Sequence, residues 1–199
     1  MHDWTENVLK PRYLLWILLA LPAILMLNGY WRETLVYGEL VHASGEMATR
    51  LLIVTMAATP LCLMFPGARL PRWLLLNRRY LGVASFAYAL LHTVTYLDRK
   101  ADLALIVEEA LEAGMATGWL AMVLMLLLAV TSNDTSVRLL RKAWKSLHRW
   151  VYPAAVLTFL HWVLSAFDPT GAWIHFGVLA LLEGYRIWKV RFASARVGA

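Results

Sequence analysis

The chain has 199 residues, of which 60% are hydrophobic, whereas a soluble domain is about 45–50% apolar. This composition excludes an ordinary soluble domain and indicates an integral membrane protein with one membrane domain. The net charge of +6 does not indicate nucleic-acid binding, because the Lys and Arg residues are clustered between apolar runs. The single cysteine, Cys62, excludes an internal disulfide, a CxxCH motif for covalent haem attachment and a cysteine-ligated iron–sulfur cluster.

Six apolar segments are long enough to cross the hydrocarbon core of a bilayer as helices of about 20 residues. We expect these spans at about residues 13–30, 45–65, 79–97, 114–131, 147–167 and 172–190. Pro22 predicts a kink in the first span, and Pro66 with Gly67 closes the second. No convincing cleavage site follows the first apolar run, so we interpret it as a retained span. The predicted fold class is an all-α integral membrane protein with six transmembrane helices, forming a single domain over residues 1–199.

Most of the positive charges fall on one side of the membrane if the six spans alternate, whereas Arg32, Arg99 and Lys100 fall on the other side among acidic residues. The majority lie at both termini, in the second and fourth connections and at the start of the fifth span: Lys10, Arg12, Arg69, Arg72, Arg78, Arg79, Arg138, Arg141, Lys142, Lys145, Arg149, Arg186, Lys189, Arg191 and Arg196. Because loops rich in Lys and Arg stay in the cytoplasm, we expect both the N-terminus and the C-terminus inside.

Two outer connections are irregular. Residues 31–44 are expected to form a longer outer loop. Residues 101–113 have the pattern of a short amphipathic helix that lies on the outer surface. This segment is either a capped loop helix or a docking face for an extracytoplasmic partner.

Two histidines are expected at the same depth. His92 lies 13 residues after Arg79 on the third span, and His161 lies 13 residues after His148 on the fifth. At a rise of about 1.5 Å per residue, both reach the outer half of the membrane on parallel helices. Two imidazoles that face each other can bind one haem iron from both sides, which suits electron transfer. For a single membrane histidine an interhelical hydrogen bond explains as much, but the matched depth favours ligation.

A third histidine, His148, is placed near the cytoplasmic end of the fifth span. The third span has Arg79 and Tyr80 at that depth, so an inner haem lacks its obvious second ligand there. On an ideal helix His148 and His161 are roughly 140° out of phase, and Pro153 between them can change this. His2 is the remaining histidine on the cytoplasmic side, and it lies on the terminus.

Other residues allow two interpretations each. Small residues leave room either for a cofactor or for close helix packing: Gly82, Ala84, Ser85, Ala87 and Ala89 on the third span, and Ala154 and Ala155 on the fifth. His42 and His175 are either solvated interfacial residues or part of a quinone site or a second haem site. Arg50, near the outer end of the second span, is a candidate partner for a haem propionate.

An ordered set of residues resembles the MsrQ (YedZ) branch of the ferric-reductase-like transmembrane domain superfamily, which also includes the NADPH oxidases. The resemblance covers roughly residues 14–191. The set comprises His42, Gly45, Thr59, Pro60, Leu61, Arg78, Arg79, Leu81, Gly82, His92, Thr131, Ser132, Trp144, Leu147, His148, Tyr152 and His161.

The resemblance implies a haem-binding subunit in the bacterial inner membrane. Electrons would pass from the quinone pool through haem b, with one haem expected and two possible, to a periplasmic molybdopterin-containing methionine-sulfoxide reductase. The branch is also associated with FMN, whose site these residues do not locate. The cofactor-binding candidates are His92, His148, His161, Arg50 and Arg79, with the three histidines as iron ligands. NADPH oxidases carry a histidine where this chain has Arg79 or Tyr80, so the resemblance does not extend to a second bis-histidine haem.

Two other functions are alternatives to an electron-transfer subunit. One is a stand-alone ferric reductase or superoxide-producing core, which would need no partner. The other is a cofactor-free transporter or assembly factor whose histidines relay protons. The chain has no Gly-rich dinucleotide fingerprint, so it is not expected to draw electrons from NADPH unaided.

Overall fold

The computed structural model describes residues 11–100 and 102–197, and every regular element in these ranges is helical. The all-α class is therefore confirmed. The helices are α1 (Pro11–Trp31), α2 (Tyr37–Met64), α3 (Arg69–Lys100), α4 (Leu103–Ala110), α5 (Ala113–Val130), α6 (Asp134–Leu140), α7 (Lys142–Leu147), α8 (Val151–Ser165) and α9 (Thr170–Val197), with a 3₁₀ turn at His148–Trp150 between α7 and α8.

Four of these helices, α1, α2, α3 and α5, are long and apolar enough to cross a membrane. The chain is thus a multi-pass membrane protein by the length and composition of its helices. Helix α8 has only 15 residues, so it reaches the length of a span only together with the turn and helix before it. Six spans with both termini inside stay a prediction.

Two expected connections are shorter than predicted. Helix α2 begins at Tyr37, so the expected outer loop over 31–44 is wrong and only residues 32–36 connect α1 to α2. The Glu39 carboxylate accepts a hydrogen bond from the Val36 N–H at 3.0 Å, which caps the first turn of α2. Helix α3 begins at Arg69, so the arginines assigned to the second connection lie on the first turns of a helix instead. Lys10 and His2 lie outside the described residues.

The core is built from two closely packed helix pairs, α2 with α3 and α5 with α8. Small residues allow the close approach: Ser85 donates a 2.7 Å hydrogen bond to the Ala48 carbonyl, and Ala154 and Ala155 are buried between helices. Helix α9 packs on α2, where Lys189 donates to the Leu63 carbonyl in the last turn. Helix packing therefore accounts for Ala84, Ser85, Ala154 and Ala155 among the small residues of the two predicted spans.

Helix α1 is joined to α3 by a side chain that hydrogen-bonds to its backbone. The Ala23 N–H donates to the Tyr88 hydroxyl at 3.0 Å, and this hydroxyl donates to the Leu19 carbonyl at 2.8 Å. The hydroxyl therefore bridges two groups that bond each other in a regular helix. The bridge lies next to Pro22, which disturbs regular helical bonding locally.

Candidate cofactor site

A cavity of about 330 Å³ lies between the two helix pairs. Its size is within the range of small-molecule and cofactor sites, about 300–1,000 Å³. It is lined by the N-terminal halves of α2 and α5 and the C-terminal parts of α3 and α8, and so lies at one end of the bundle. The lining includes Gly38, Val41, His42, Gly45, Glu46, Ala48, Thr49, Leu52, Ala89, His92, Thr93, Tyr96, Met115, Gly118, Trp119, Ala121, Met122, Met125, Thr158, His161, Trp162, Ser165 and Ala166.

His92 and His161 face each other across this cavity. Their ring centroids are 6.1 Å apart and their ring planes cross at 82°. Two imidazoles bound to one metal ion from opposite sides, with metal–nitrogen bonds of about 2 Å, place their centroids roughly 6 Å apart. The structure therefore brings together the pair that depth alone suggested, at a spacing that fits one bridging metal.

Each of these imidazoles uses its Nδ1 nitrogen in the same way. His92 Nδ1 donates to the Val41 carbonyl of α2 at 2.8 Å, and His161 Nδ1 donates to the Gly114 carbonyl of α5 at 2.8 Å. Because a carbonyl oxygen can only accept, Nδ1 carries the proton and the Nε2 lone pair of a neutral ring is left available. Metal-binding histidines almost always donate their other ring N–H in this manner.

A glycine lies beside each imidazole. A Cβ atom on Gly45 would be 2.9 Å from His92 Nδ1, and a Cβ atom on Gly118 would be 2.7 Å from His161 Nδ1. Both distances are shorter than real contacts, so each ring occupies space that only glycine leaves free.

Trp119 supplies a further polar atom at the cavity. Its indole Nε1 is buried and has no hydrogen-bond partner among the described residues. A buried donor without an acceptor is uncommon and costs free energy. An occupant of the cavity with acceptor oxygens, such as a carboxylate-bearing cofactor, would supply the missing partner.

Arg50 does not line the cavity, although its neighbours Glu46 and Thr49 do. Its guanidinium donates to Glu46 at 2.6 Å and contacts His175 Nε2 at 3.5 Å. Glu46 also lies 3.9 Å from His42 Nε2, so Arg50, Glu46 and the two histidines form one polar cluster. The candidate propionate partner is therefore already paired with a carboxylate.

His148 lies apart from the cavity. Its ring stacks on Trp144 with centroids 3.9 Å apart, and its Nε2 is 3.2 Å from the Thr131 hydroxyl. The 3₁₀ turn at His148–Trp150 separates it from the regular helix that carries His161. The structure does not bring these two histidines to one site.

Arg79 does not line the cavity. It donates to the Asp134 carboxylate at 2.7 Å, and this hydrogen bond holds the pKa of Asp134 below its usual value. The first turns of α3 are thereby tied to the start of α6. His148 and Arg79, the two cofactor-binding candidates away from the cavity, thus have partners within the chain.

The residues that sequence reasoning missed are the partners of the histidine rings. The carbonyls of Val41 and Gly114 have no sequence signature, and Gly118 is not among the predicted site residues. The spacing Gly114-x-x-x-Gly118 was a usable signal, because two glycines four residues apart in an apolar helix indicate close approach of another element.

Comparison with known families gives the class of protein. The family described as "Ferric reductase like transmembrane component" has a model that matches residues 44–159, which is more than half of the chain. The matched segment contains the whole of α3 and α5, most of α2 and the first part of α8. The bundle and its cavity thus belong to a ferric-reductase-like transmembrane protein.

Curated relatives narrow this class. Proteins named "Protein-methionine-sulfoxide reductase heme-binding subunit MsrQ" match most of the chain. That of Xanthomonas campestris pv. campestris (strain B100) is 38% identical over 165 residues, covering 81% of this chain and 73% of the relative. That of Azospira oryzae is 35% identical over 185 residues, covering 87% and 76%. The chain belongs to the MsrQ family. No solved structure matches it significantly.

Proposed function

We propose that the chain is a membrane cytochrome b that passes electrons from the quinone pool through haem b to a periplasmic molybdopterin-containing methionine-sulfoxide reductase. It would form one six-span domain in the bacterial inner membrane, with both termini inside. The chain would be the electron-transfer subunit, and the partner would reduce oxidised methionine in envelope proteins. The names of the curated relatives support haem binding and the link to methionine-sulfoxide reduction.

The observation that carries this proposal is the His92–His161 pair. The two rings face each other at 6.1 Å with their Nδ1 atoms bound to carbonyls and both Nε2 atoms free to bind iron. A pair held only by interhelical hydrogen bonding would not need this common orientation. Bound haem would supply reversible one-electron transfer, and His92 and His161 would both hold its iron, a ligand set that suits electron transfer. This arrangement supports electron transfer over oxygen chemistry.

The surrounding residues would hold and tune the cofactor. The carbonyls of Val41 and Gly114 orient the rings and raise the basicity of Nε2. The apolar lining, including Leu52, Met122 and Met125, would exclude water and lower the local dielectric. Trp119 Nε1 would donate to an acceptor on the cofactor, and Arg50 would act near a propionate. His148 and Arg79 are proposed for a second, inner redox site.

The test is a reduced-minus-oxidised optical spectrum of the purified protein with a pyridine haemochrome count. We expect a low-spin b-type spectrum that is lost in His92→Ala and in His161→Ala, because each removes one axial ligand. His148→Ala should keep this outer haem, and any haem it loses belongs to the inner site. Arg50→Gln should lower haem retention or shift the midpoint potential.

Three outcomes would contradict the proposal. A colourless wild-type protein, expressed with excess haem, would exclude haem binding and favour a cofactor-free protein that relays protons or assists assembly. Haem retained at full occupancy in both His92→Ala and His161→Ala would show that other residues bind the haem iron. Rapid reduction of ferric iron or oxygen without a partner would point to a stand-alone reductase.

A further inference from the structure

We propose that Gly45 and Gly118 are positioning residues that fix the planes of the two axial imidazoles near a right angle. This inference rests on the proposed haem site. Each glycine acts with the carbonyl four residues before it, Val41 for Gly45 and Gly114 for Gly118. We call each carbonyl with its glycine an imidazole notch.

The two notches are built in the same way. In a helix the carbonyl of residue i points toward residue i+4, on the same face. The glycine at i+4 has no Cβ, so an imidazole from the neighbouring helix can lie against the backbone and reach that carbonyl. The carbonyl already accepts the glycine N–H within the helix, and its second lone pair accepts the imidazole Nδ1–H. Each notch therefore controls both the position of the ring and the nitrogen that faces the cavity.

The notches lie on different helices from the ligands. His92 of α3 rests in the α2 notch, and His161 of α8 rests in the α5 notch. Each ring plane is therefore set by its own helix pair, and the angle between the planes is set by how the two pairs cross. The observed angle of 82° is the result.

Alanine at either position would displace the ring rather than the helix. The added Cβ would lie 2.9 Å from Nδ1 and 3.2 Å from Cε1 of His92, or 2.7 Å and 2.8 Å from the same atoms of His161. To escape, the ring must rotate or withdraw, and either movement breaks the Nδ1 hydrogen bond. Alanine itself favours a helix more than glycine does, so the helix should still form.

The crossing angle has a spectroscopic signature that needs no variant. Low-spin ferric haem with perpendicular axial imidazoles gives a strongly anisotropic EPR spectrum, whereas parallel imidazoles give an ordinary rhombic one. We expect the strongly anisotropic signal from the oxidised wild-type protein. A rhombic signal alone would overturn the assignment of crossed rings.

The variants are Gly45→Ala and Gly118→Ala, with Gly177→Ala as the matched control. A Cβ on Gly177, in helix α9, would meet nothing within 4 Å. We expect each notch variant to lose about tenfold or more in haem affinity, as is typical when a partner of a metal-binding histidine is removed. Any haem it retains should show a shifted midpoint potential and lose the anisotropic EPR signal. Gly177→Ala should match the wild type in all three measurements.

The outcomes separate this inference from the proposed function. Wild-type protein without haem would overturn both. Haem that needs His92 and His161 but is unchanged in affinity, potential and EPR in the notch variants would overturn the inference alone. Circular dichroism of the haem-free variants checks their folding, and the wild-type EPR spectrum decides the ring angle even if a variant does not fold.

Discussion

His92 and His161 share one arrangement, in which Nδ1 of each ring bonds to a backbone carbonyl of a neighbouring helix. Nε2 of each ring is directed away from that carbonyl. His148 differs, because its Nε2 is beside the Thr131 hydroxyl and its ring is stacked on Trp144. A ligand role for His148 would require this contact to be given up.

The Arg79–Asp134 pair gives a prediction about pH. The Arg79 hydrogen bond lowers the pKa of Asp134 below 3.8, its usual value. A carboxyl whose pKa is lower in the folded state stabilises the fold above its unfolded pKa, and this contribution is lost as the pH falls through the lowered value. Asp134→Asn should therefore lower Tm slightly at neutral pH, with the difference from wild type disappearing in acid.

Thermal unfolding in detergent at neutral pH and at about pH 3 would test this. The effect should be small because the carboxylate is largely exposed and screened by solvent. Arg79→Gln should produce the same loss, and the double variant should add little to either single change. A Tm difference that does not change with pH would contradict the assignment.

At the scale of elements, α4 is an amphipathic helix on the surface of the bundle, as the sequence predicted for residues 101–113. Glu109 joins it to α3 by accepting hydrogen bonds from Lys100 and Tyr96, and these bonds lower the pKa of Glu109. Leu103, Val107 and Leu111 are exposed and lie four residues apart on one face. Glu109 therefore joins α4 to the bundle, and the more exposed carboxylates are Glu108 on α4 and Glu112 just after it.

The docking hypothesis for α4 should be tested at Glu108 and Glu112, which are exposed. Reversing both charges, with Glu108→Lys and Glu112→Lys, should slow electron delivery to the proposed reductase partner because long-range attraction mainly affects association rates. The haem spectrum should stay intact. Glu108→Gln with Glu112→Gln should have a smaller effect, and the difference should shrink as salt increases.

Stopped-flow oxidation of the reduced protein by the purified partner would provide the rates. Equal rates for the wild type and the Lys variant at low salt would exclude a docking role for these charges. Glu109 should be left unchanged in this experiment, because its replacement would also release α4 from α3.

At the scale of the whole molecule, the sequence predicted the helices better than their connections. Long apolar runs must form helices in a bilayer, so α1, α2, α3 and α5 follow from composition. The start of α2 was misplaced because Glu39 caps a helix that extends beyond its apolar part. Charged and polar turns of this kind carry no hydrophobic signal.

The candidate site was likewise predictable only in part from the sequence. Matched depth on parallel spans was enough to pair His92 with His161, because rise per residue is nearly constant in a helix. The notches at Gly45 and Gly118 depend on which face each neighbouring helix presents, and this is decided by tertiary packing. The position of His148 was not predictable either, since a 3₁₀ turn changes its direction relative to α8.

The predicted topology can be tested with single cysteines in a Cys62→Ala background. In intact spheroplasts, a membrane-impermeant maleimide should label Arg32→Cys and Phe167→Cys, in the connections after α1 and α8. Leu139→Cys on α6 and Arg191→Cys on α9 should be labelled only after permeabilisation. Labelling of Phe167→Cys from the same side as Leu139→Cys would show that α8 does not cross the membrane.

The Tyr88 hydroxyl within α1 has a consequence for biogenesis. Helix α1 leaves the ribosome and enters the bilayer well before α3, so at first the Leu19 carbonyl and the Ala23 N–H have no hydroxyl between them. Because these two groups are four residues apart, they can then bond each other as in a regular helix. Helix α1 can therefore insert with its backbone groups paired, and the Tyr88 hydroxyl joins it to α3 only when the third helix arrives. Docking of the first helix on the third is thus a step that follows insertion.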